Sequence, residues 1–243
     1  MQKENNMKPF LYGLLLQWKM NLRNKDIVVF YYLVPLLFYL FMSTVFIAIM
    51  PNVQQTLIAS MTIFGITMGG ILGSHYPLIE LFSYDIRKSY QVANIPLYTL
   101  VLSNFLSAFI HLLIMSLIIF ISAPILFQAT LPTDILHYLL SLILILCTTL
   151  SVGTIFGLYV KSSAKLAMYT QIIFLPSIVL SGIMFPLDLL PSFLQICSFL
   201  LPATWGYQLL AEIPSSPFPL FLLSGICVYC IYKRLITYKK TTQ

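Results

Sequence analysis

The sequence predicts an all-α integral membrane protein: six transmembrane helices in one domain, an N-terminal interfacial helix, and re-entrant half-helices on the outer side between the fifth and sixth spans. Three observations carry this. Hydrophobic residues make up 59% of the 243 and charged residues 8%, with a mean hydropathy of +0.93, whereas a soluble domain is roughly a quarter charged. Six apolar stretches each reach the ~20 residues a helix needs to cross a bilayer. All 13 Lys and Arg residues fall in segments that a six-span chain places on one face.

In chain order, residues 8–25 form an amphipathic helix, with Phe10, Leu11, Leu14, Leu15, Trp18 and Leu22 on one arc and Gln17, Lys19, Arg23 and Asn24 off it. It is expected to lie at headgroup level on the cytoplasmic surface. MQKENNMKPF lacks the pattern of a cleaved signal. Spans are expected at Ile27–Met50, Thr56–Ile79, Tyr98–Ser122, Ile135–Val160, Leu166–Phe185 and Pro217–Ile236. With the N-terminus inside, the basic residues from Lys3 to Lys25, then Arg87, Lys88, Lys161 and Lys165, then Lys233 to Lys240 are all cytoplasmic, and only Asp134, Asp188 and Glu212 carry charge outside. Five or seven spans would scatter the basic residues over both faces. Both termini are therefore expected in the cytoplasm of a multi-pass cell-membrane protein, and the net charge of +6 describes topology, with no nucleic-acid partner required.

No ionisable Asp, Glu, Lys or Arg stands near the middle of a span, which argues against an internal ion-driven motor. Asn104, Ser107 and His111 form a polar stripe at helical spacing, read as interhelical hydrogen bonding. Gly65, Gly69 and Gly73, and Gly153 with Gly157, are close-packing positions, within one subunit or between two. Pro35 and Pro176 predict kinks. Four cysteines, with Cys227 and Cys230 in an apolar helix, indicate buried thiols, and no metal site is expected.

Two segments depart from the spanning pattern. From Pro176 to Pro202 the chain is too apolar for a loop, yet Pro186, Asp188, Pro191 and Pro202 interrupt it too often for one helix. Broken backbone at membrane depth is tolerated only where protein or a cavity satisfies its freed polar groups, so two half-helices joined near Asp188–Pro191 are expected, after a fifth span ending near Phe185. From Glu80 to Tyr98, charged Glu80, Asp85, Arg87 and Lys88 mix with Leu81, Phe82, Tyr84, Ile86 and Tyr90, the composition of a short amphipathic helix on the cytoplasmic face.

The amphipathic first helix, the six spans, the acidic-to-Ile95-Pro96-Leu97 segment and PSIVLSGIMFPLDLLPSFLQICSFLLPATWGYQLL together resemble an ABC-2 type permease, the membrane subunit of an ATP-driven exporter. The most specific part is Leu180-Ser181-Gly182 followed by Phe185-Pro186, Leu190-Pro191 and Leu201-Pro202. The resemblance implies an outer gate built from Ser181, Gly182, Phe185, Pro186, Asp188, Pro191 and Pro202, and coupling to an ATPase through Glu80, Asp85, Arg87 and Lys88. The chain has no GxxxxGK[ST] loop, so it is not expected to be an enzyme or to hold a cofactor. ATP and Mg belong to a separate ABC ATPase partner, with a second copy (homodimer) or a similar permease (heterodimer) completing the pathway.

An apolar pathway would suit hydrophobic or amphipathic small molecules, drugs or antimicrobial peptides, as in multidrug efflux; a lipid-linked polymer is a neighbouring cargo. Phe46, Phe64, Met68, Gln171 and Phe174 are the candidate pathway residues. Two other classes compete: a non-transporting membrane scaffold, and an intramembrane enzyme, against which His75, His111 and Glu80 form no catalytic spacing.

Overall fold

A computed structural model describes residues 4–50, 52–82, 96–160 and 162–240. The described residues are helical with turns and no strands, and six helices are long and apolar enough to span a bilayer. The elements are α1 (Glu4–Arg23), the spans α2 (Lys25–Ile49), α3 (Leu57–Ile79), α4 (Leu97–Phe127), α5 (Ile135–Tyr159) and α6 (Ser163–Leu180), the short helices α7 (Ser192–Ser198) and α8 (Pro202–Leu210), and the last span α9 (Phe218–Lys240).

One helix is central. α3 is 94% buried, against 11% for α9, because α2, α4, α5, α6 and α8 all pack against it. Its glycines explain how so many helices approach. A β-carbon at Gly65 would meet Met115 of α4 and Pro35 of α2, one at Gly70 would meet Thr149 of α5 at 2.7 Å, and one at Gly73 would meet the Tyr31 ring of α2 at 2.7 Å. Gly69 abuts Leu112 and Tyr31, Gly153 faces Gly70, and Gly157 faces Leu78. All five glycines of the two spaced sets therefore close contacts within one chain. α9 lies outside α5, and α1 lies along α4.

Several boundaries differ from the hydropathy reading, each for a local reason. α4 continues past Ser122 to Phe127, since Pro124 sits in its last turn; Gln128 then closes the helix at φ 54° with Ala129 N–H donating to Ala123 O at 3.3 Å. α6 ends at Leu180, five residues before Phe185, because Gly182 takes φ +89° and turns the chain out of the helix. Pro35 stands in the first turn of the regular part of α2. The helix widens into a π turn at Val29–Leu33 just before it, which accommodates the N–H that proline lacks. A second π turn, Met68–Gly73, interrupts α3.

The two ends of the bundle differ in charge. At one end the described cations Lys19, Arg23, Lys25, Lys165, Lys233 and Arg234 outnumber Asp26; at the other stand Asp134, Asp188 and Glu212. The acidic-end loops are tied together where Thr130 N–H donates to Gln54 O at 3.0 Å.

Candidate functional site

The site grows from the break after α6. Past Gly182, Pro186 starts a 3₁₀ turn at Leu187–Leu189 that carries Asp188, Pro191 precedes α7, and Pro202 occupies the first turn of α8. Proline fits these positions because an N-terminal helical turn has no use for its missing N–H. The two half-helices exist, but their junction is Phe199–Leu201 rather than Asp188–Pro191, and α8 runs on to Leu210. Asp188 lies in the connector, exposed with Phe185, Pro186 and Pro191, while Ser181, Gly182 and Pro202 are buried. Tyr207 of α8 closes over Gly182, with ring atoms 3.0 and 3.1 Å from where a β-carbon would stand.

Three backbone carbonyls of the broken segment are taken up by neighbouring side chains. Thr204 Oγ1 donates to Ser198 O at 2.6 Å, Trp205 Nε1 to Phe199 O at 2.8 Å, and Gln195 Nε2 to Leu190 O at 2.8 Å. That is the condition under which non-helical backbone persists at membrane depth. α8 reaches such depth: a β-carbon at Gly206 would meet Ile145 at 2.7 Å and Ile63 at 2.9 Å. Those residues lie about 15 and 9 Å along α5 and α3 from their acidic-end starts, at 1.5 Å per residue.

Glu212 fastens the far end of α8. Its backbone holds φ 55°, a left-handed conformation unusual for a residue with a β-carbon. The carboxylate accepts from Thr133 Oγ1 at 2.7 Å and from Asp134 N–H at 3.0 Å. Asp134 in turn caps α5 by accepting from His137 N–H at 3.0 Å. Together with Leu209, Ile213, Pro214 and Ser215 these residues line a cleft of about 310 Å³. The Asp134 backbone bond, then the Thr133 hydroxyl, hold the Glu212 carboxyl below its ordinary value of 4.5. A depressed carboxyl stabilises the fold above its unfolded pKa and loses that contribution as pH falls through the folded one. Thermal stability of the native chain and of Glu212→Gln should therefore differ by a constant amount above pH 4.5 and converge in more acidic buffer; a gap that widened on acidification would contradict the assignment.

Of the candidate pathway residues, the structure brings Phe64 and Phe174 together, with ring centroids 6.1 Å apart, and stacks Phe38 on Phe64 at 3.6 Å. Met68 lies one turn further along α3, buried with Phe64. Gln171 is exposed on α6, and Phe46 is buried on α2, two turns beyond Phe38. α2 and α6 keep exposed apolar faces, Phe41 at 68% and Ile172 at 60% among them.

At the basic end, the candidate coupling residues Asp85, Arg87 and Lys88 lie outside the described residues. Glu80 falls in the helical tail Tyr76–Leu81 of α3. Beneath this segment Leu78, Leu100, Val101 and Leu158 form a small core joined by Phe82, Ile231 and Leu235. Arg234 of α9 donates to Leu158 O at 3.3 Å, its guanidinium 4.8 Å from the Tyr159 ring centre and 4.7 Å from that of Tyr238. A cation on the last carbonyls of α5 suits the negative end of a helix.

The polar stripe of α4 binds three different helices. Ser107 accepts from Asn21 Nδ2 of α1 at 2.9 Å, Asn104 Nδ2 donates to Ser74 O of α3 at 3.1 Å, and His111 Nδ1 pairs with Tyr32 Oη of α2 at 2.8 Å. Trp18 stacks on His111 at 4.3 Å. The face of α1 turned to the protein therefore includes Gln17 and Asn21, linked at 3.0 Å, while Leu15 and Leu22 point outward at 61% and 47% exposure. The apolar arc of residues 8–25 does not define the docked face. A polar pair at i, i+4 opposite a polar stripe on a span was the available signal, hidden because Gln17 shares the off-arc face with Lys19, Arg23 and Asn24. Among the described residues no group of three or more His, Cys, Asp or Glu side chains converges to hold a metal ion.

The sequence model of one family, described as ABC-2 type transporter, matches residues 10–213. A comparison with curated proteins found no match. The matched range includes α1 from Phe10 onward, the first five spans, and the broken segment through the Glu212 turn.

Proposed function

The chain belongs to the ABC-2 type transporter family, and from that membership we propose that it is the permease subunit of an ATP-driven exporter of hydrophobic or amphipathic molecules. A permease of this family is a multi-pass membrane protein, served by an ABC ATPase. Drugs and antimicrobial peptides are the cargo classes proposed, in a cell membrane with both termini in the cytoplasm. The observation that carries the reading is the segment from Ser181 to Leu210: a break whose joint carbonyls accept side-chain hydrogen bonds, set against α3 and α5 at membrane depth, is architecture that lipid-facing filler does not need.

Since α3 is enclosed on all sides, the route runs between two permease copies, or between this chain and a similar one. The exposed apolar faces of α2 and α6 support that arrangement. Ser181, Gly182, Phe185, Pro186, Asp188, Pro191 and Pro202 then form the outer gate, and Gln171 and Phe174 of α6 border the route, with Phe64 and Met68 buried in the wall behind them. ATP and Mg are bound by the partner, whose motion reaches this chain through Glu80, Asp85, Arg87 and Lys88. Placing the basic end in the cytoplasm follows the positive-inside rule.

The test is reconstitution of the permease with an ABC ATPase in proteoliposomes, with rhodamine 6G as probe. ATP-dependent dye movement, lost when Glu80–Lys88 is replaced by Gly/Ser, is expected. A complex that forms stably yet moves neither this dye nor an amphipathic peptide, with ATP hydrolysis indifferent to that replacement, would favour the scaffold reading.

A further inference from the structure

We infer that the π turn of α3, with Tyr31 of α2 seated in it, is a two-state joint that passes motion from the Glu80–Tyr98 segment to the upper part of α3. This rests on the coupling role proposed above for that segment. α3 consists of two regular helical pieces, Leu57–Thr67 and Tyr76–Leu81, separated by the π turn Met68–Gly73 and a turn at Ser74–His75. The upper piece carries Phe64, and the lower piece runs directly into the segment from Glu80. Pro77 adds to the break, since it cannot donate to the carbonyl of Gly73 four residues earlier.

The joint is held by side chains in place of a regular ladder. Ser74 N–H donates to Gly69 O at 2.9 Å, the longer-range bond of a π turn. Ser74 Oγ donates to Gly70 O at 2.6 Å and His75 Nδ1 to Ile71 O at 2.8 Å, taking up two carbonyls within the turn. Asn104 of α4 donates to Ser74 O. Opposite stands the π turn of α2, in contact with that of α3, and Tyr31 fills the notch left by Gly69 and Gly73. A β-carbon at Gly73 would meet the Tyr31 ring at 2.7 Å, and one at Gly69 would clash with Leu112 and approach the ring to 3.1 Å.

A second, independent observation bears on the joint. Tyr31 Oη, Asn104 Oδ1, Thr149 Oγ1, His75 Nε2 and His111 Nε2 are buried and have no hydrogen-bond partner among the described residues. Each of these residues is at most 1% exposed. Each also belongs to the π turn's surroundings: Tyr31 against Gly69 and Gly73, Thr149 against Gly70, Asn104 on Ser74, His75 on Ile71, and His111 beside Tyr31. Orphaned buried polar groups raise the free energy of the arrangement that holds them. Regular α-helical pieces on either side, five unsatisfied groups, and glycines whose bare surface gives the Tyr31 ring no side chain to interlock with let one arrangement exchange for another by rotation of α3 about this point. Tyr31 is thus a positioning residue for transport, acting on α3 and touching no substrate.

The experiment uses the reconstituted permease–ATPase complex. Hydrogen exchange is followed by mass spectrometry with the ATPase nucleotide-free and then trapped with ATP and vanadate. Amides of residues 68–76 are expected to change exchange rate at least tenfold on trapping, while those of 57–67 change less than twofold. Tyr31→Phe removes one orphaned hydroxyl and keeps the ring. It is expected to slow exchange at 68–76 in the nucleotide-free state and to lower transport per ATP hydrolysed about fivefold, whereas a merely structural role would leave that ratio unchanged. A complex that transports with no change at 68–76 between the two states would overturn the inference and leave the exporter reading intact, as would a Tyr31→Phe ratio within twofold of the native chain. Absence of any ATP-dependent transport by the native complex would instead overturn the exporter reading.

Discussion

Gly153→Val is expected to be among the most damaging single substitutions in the chain, lowering stability by more than about 3 kcal/mol. The β-carbon it introduces would overlap the carbonyl oxygen of Gly70 and the hydroxyl of Ser74, where α5 crosses α3. Backbone cannot move aside as the end of a flexible side chain can, so the two central helices would have to separate. Separation would also expose the bonds that Ser74 makes to Gly70 and receives from Asn104. Gly225→Val is the matched control, because none of the described residues stands within 4 Å of a β-carbon there. It should change stability by no more than about 0.5 kcal/mol. Thermal unfolding of the detergent-solubilised proteins, followed by size-exclusion fluorescence, measures both. Equal losses at the two positions would show that valine in an apolar helix, and not the α3–α5 contact, sets the cost.

Asn21→Leu should detach α1 from the bundle. Asn21 is 1% exposed, donates to Ser107 of α4 and accepts from Gln17. Leucine would leave both partners buried and unpaired, a cost of about 1–3 kcal/mol. Removing the partner as well tests the contact itself. In a double-mutant cycle, Asn21→Leu combined with Ser107→Ala should cost less than the two single losses added, with a coupling of at least about 0.5 kcal/mol. Strict additivity would mean that α1 is held by Trp18 stacking on His111 and not by the hydrogen-bonded clasp. Protease accessibility of α1 in proteoliposomes gives a second readout, rising for Asn21→Leu alone.

Much of this protein is legible without coordinates. The apolar runs locate the spans to within a few residues because hydrocarbon excludes any backbone that does not satisfy its own polar groups. The break between Pro176 and Pro202 is visible for the same reason: prolines at 186, 191 and 202 cannot all lie inside one helix. Its geometry is less visible. Asp188 marks the polar connector, but the joint between the half-helices sits at Phe199–Leu201, among residues as apolar as those around them. The stop of α6 at Leu180 depends on one glycine's dihedral angle, fixed by the Tyr207 ring packed on it.

Composition, apolar run length and the placement of thirteen cations are properties of residues taken singly, and they suffice for the class, the six spans and the segregation of charge. Which helix stands at the centre is a property of pairs. In lipid the solvent is as apolar as the protein interior, so a helix buried at 94% and one buried at 11% can carry similar hydropathy, 1.6 for α3 and 1.5 for α9. Shape makes the distinction that polarity cannot. α3 becomes the hub because its glycines admit Tyr31, Leu112, Met115 and Thr149, and the two π turns, the docked face of α1 and the depth of α8 follow from contacts of that kind.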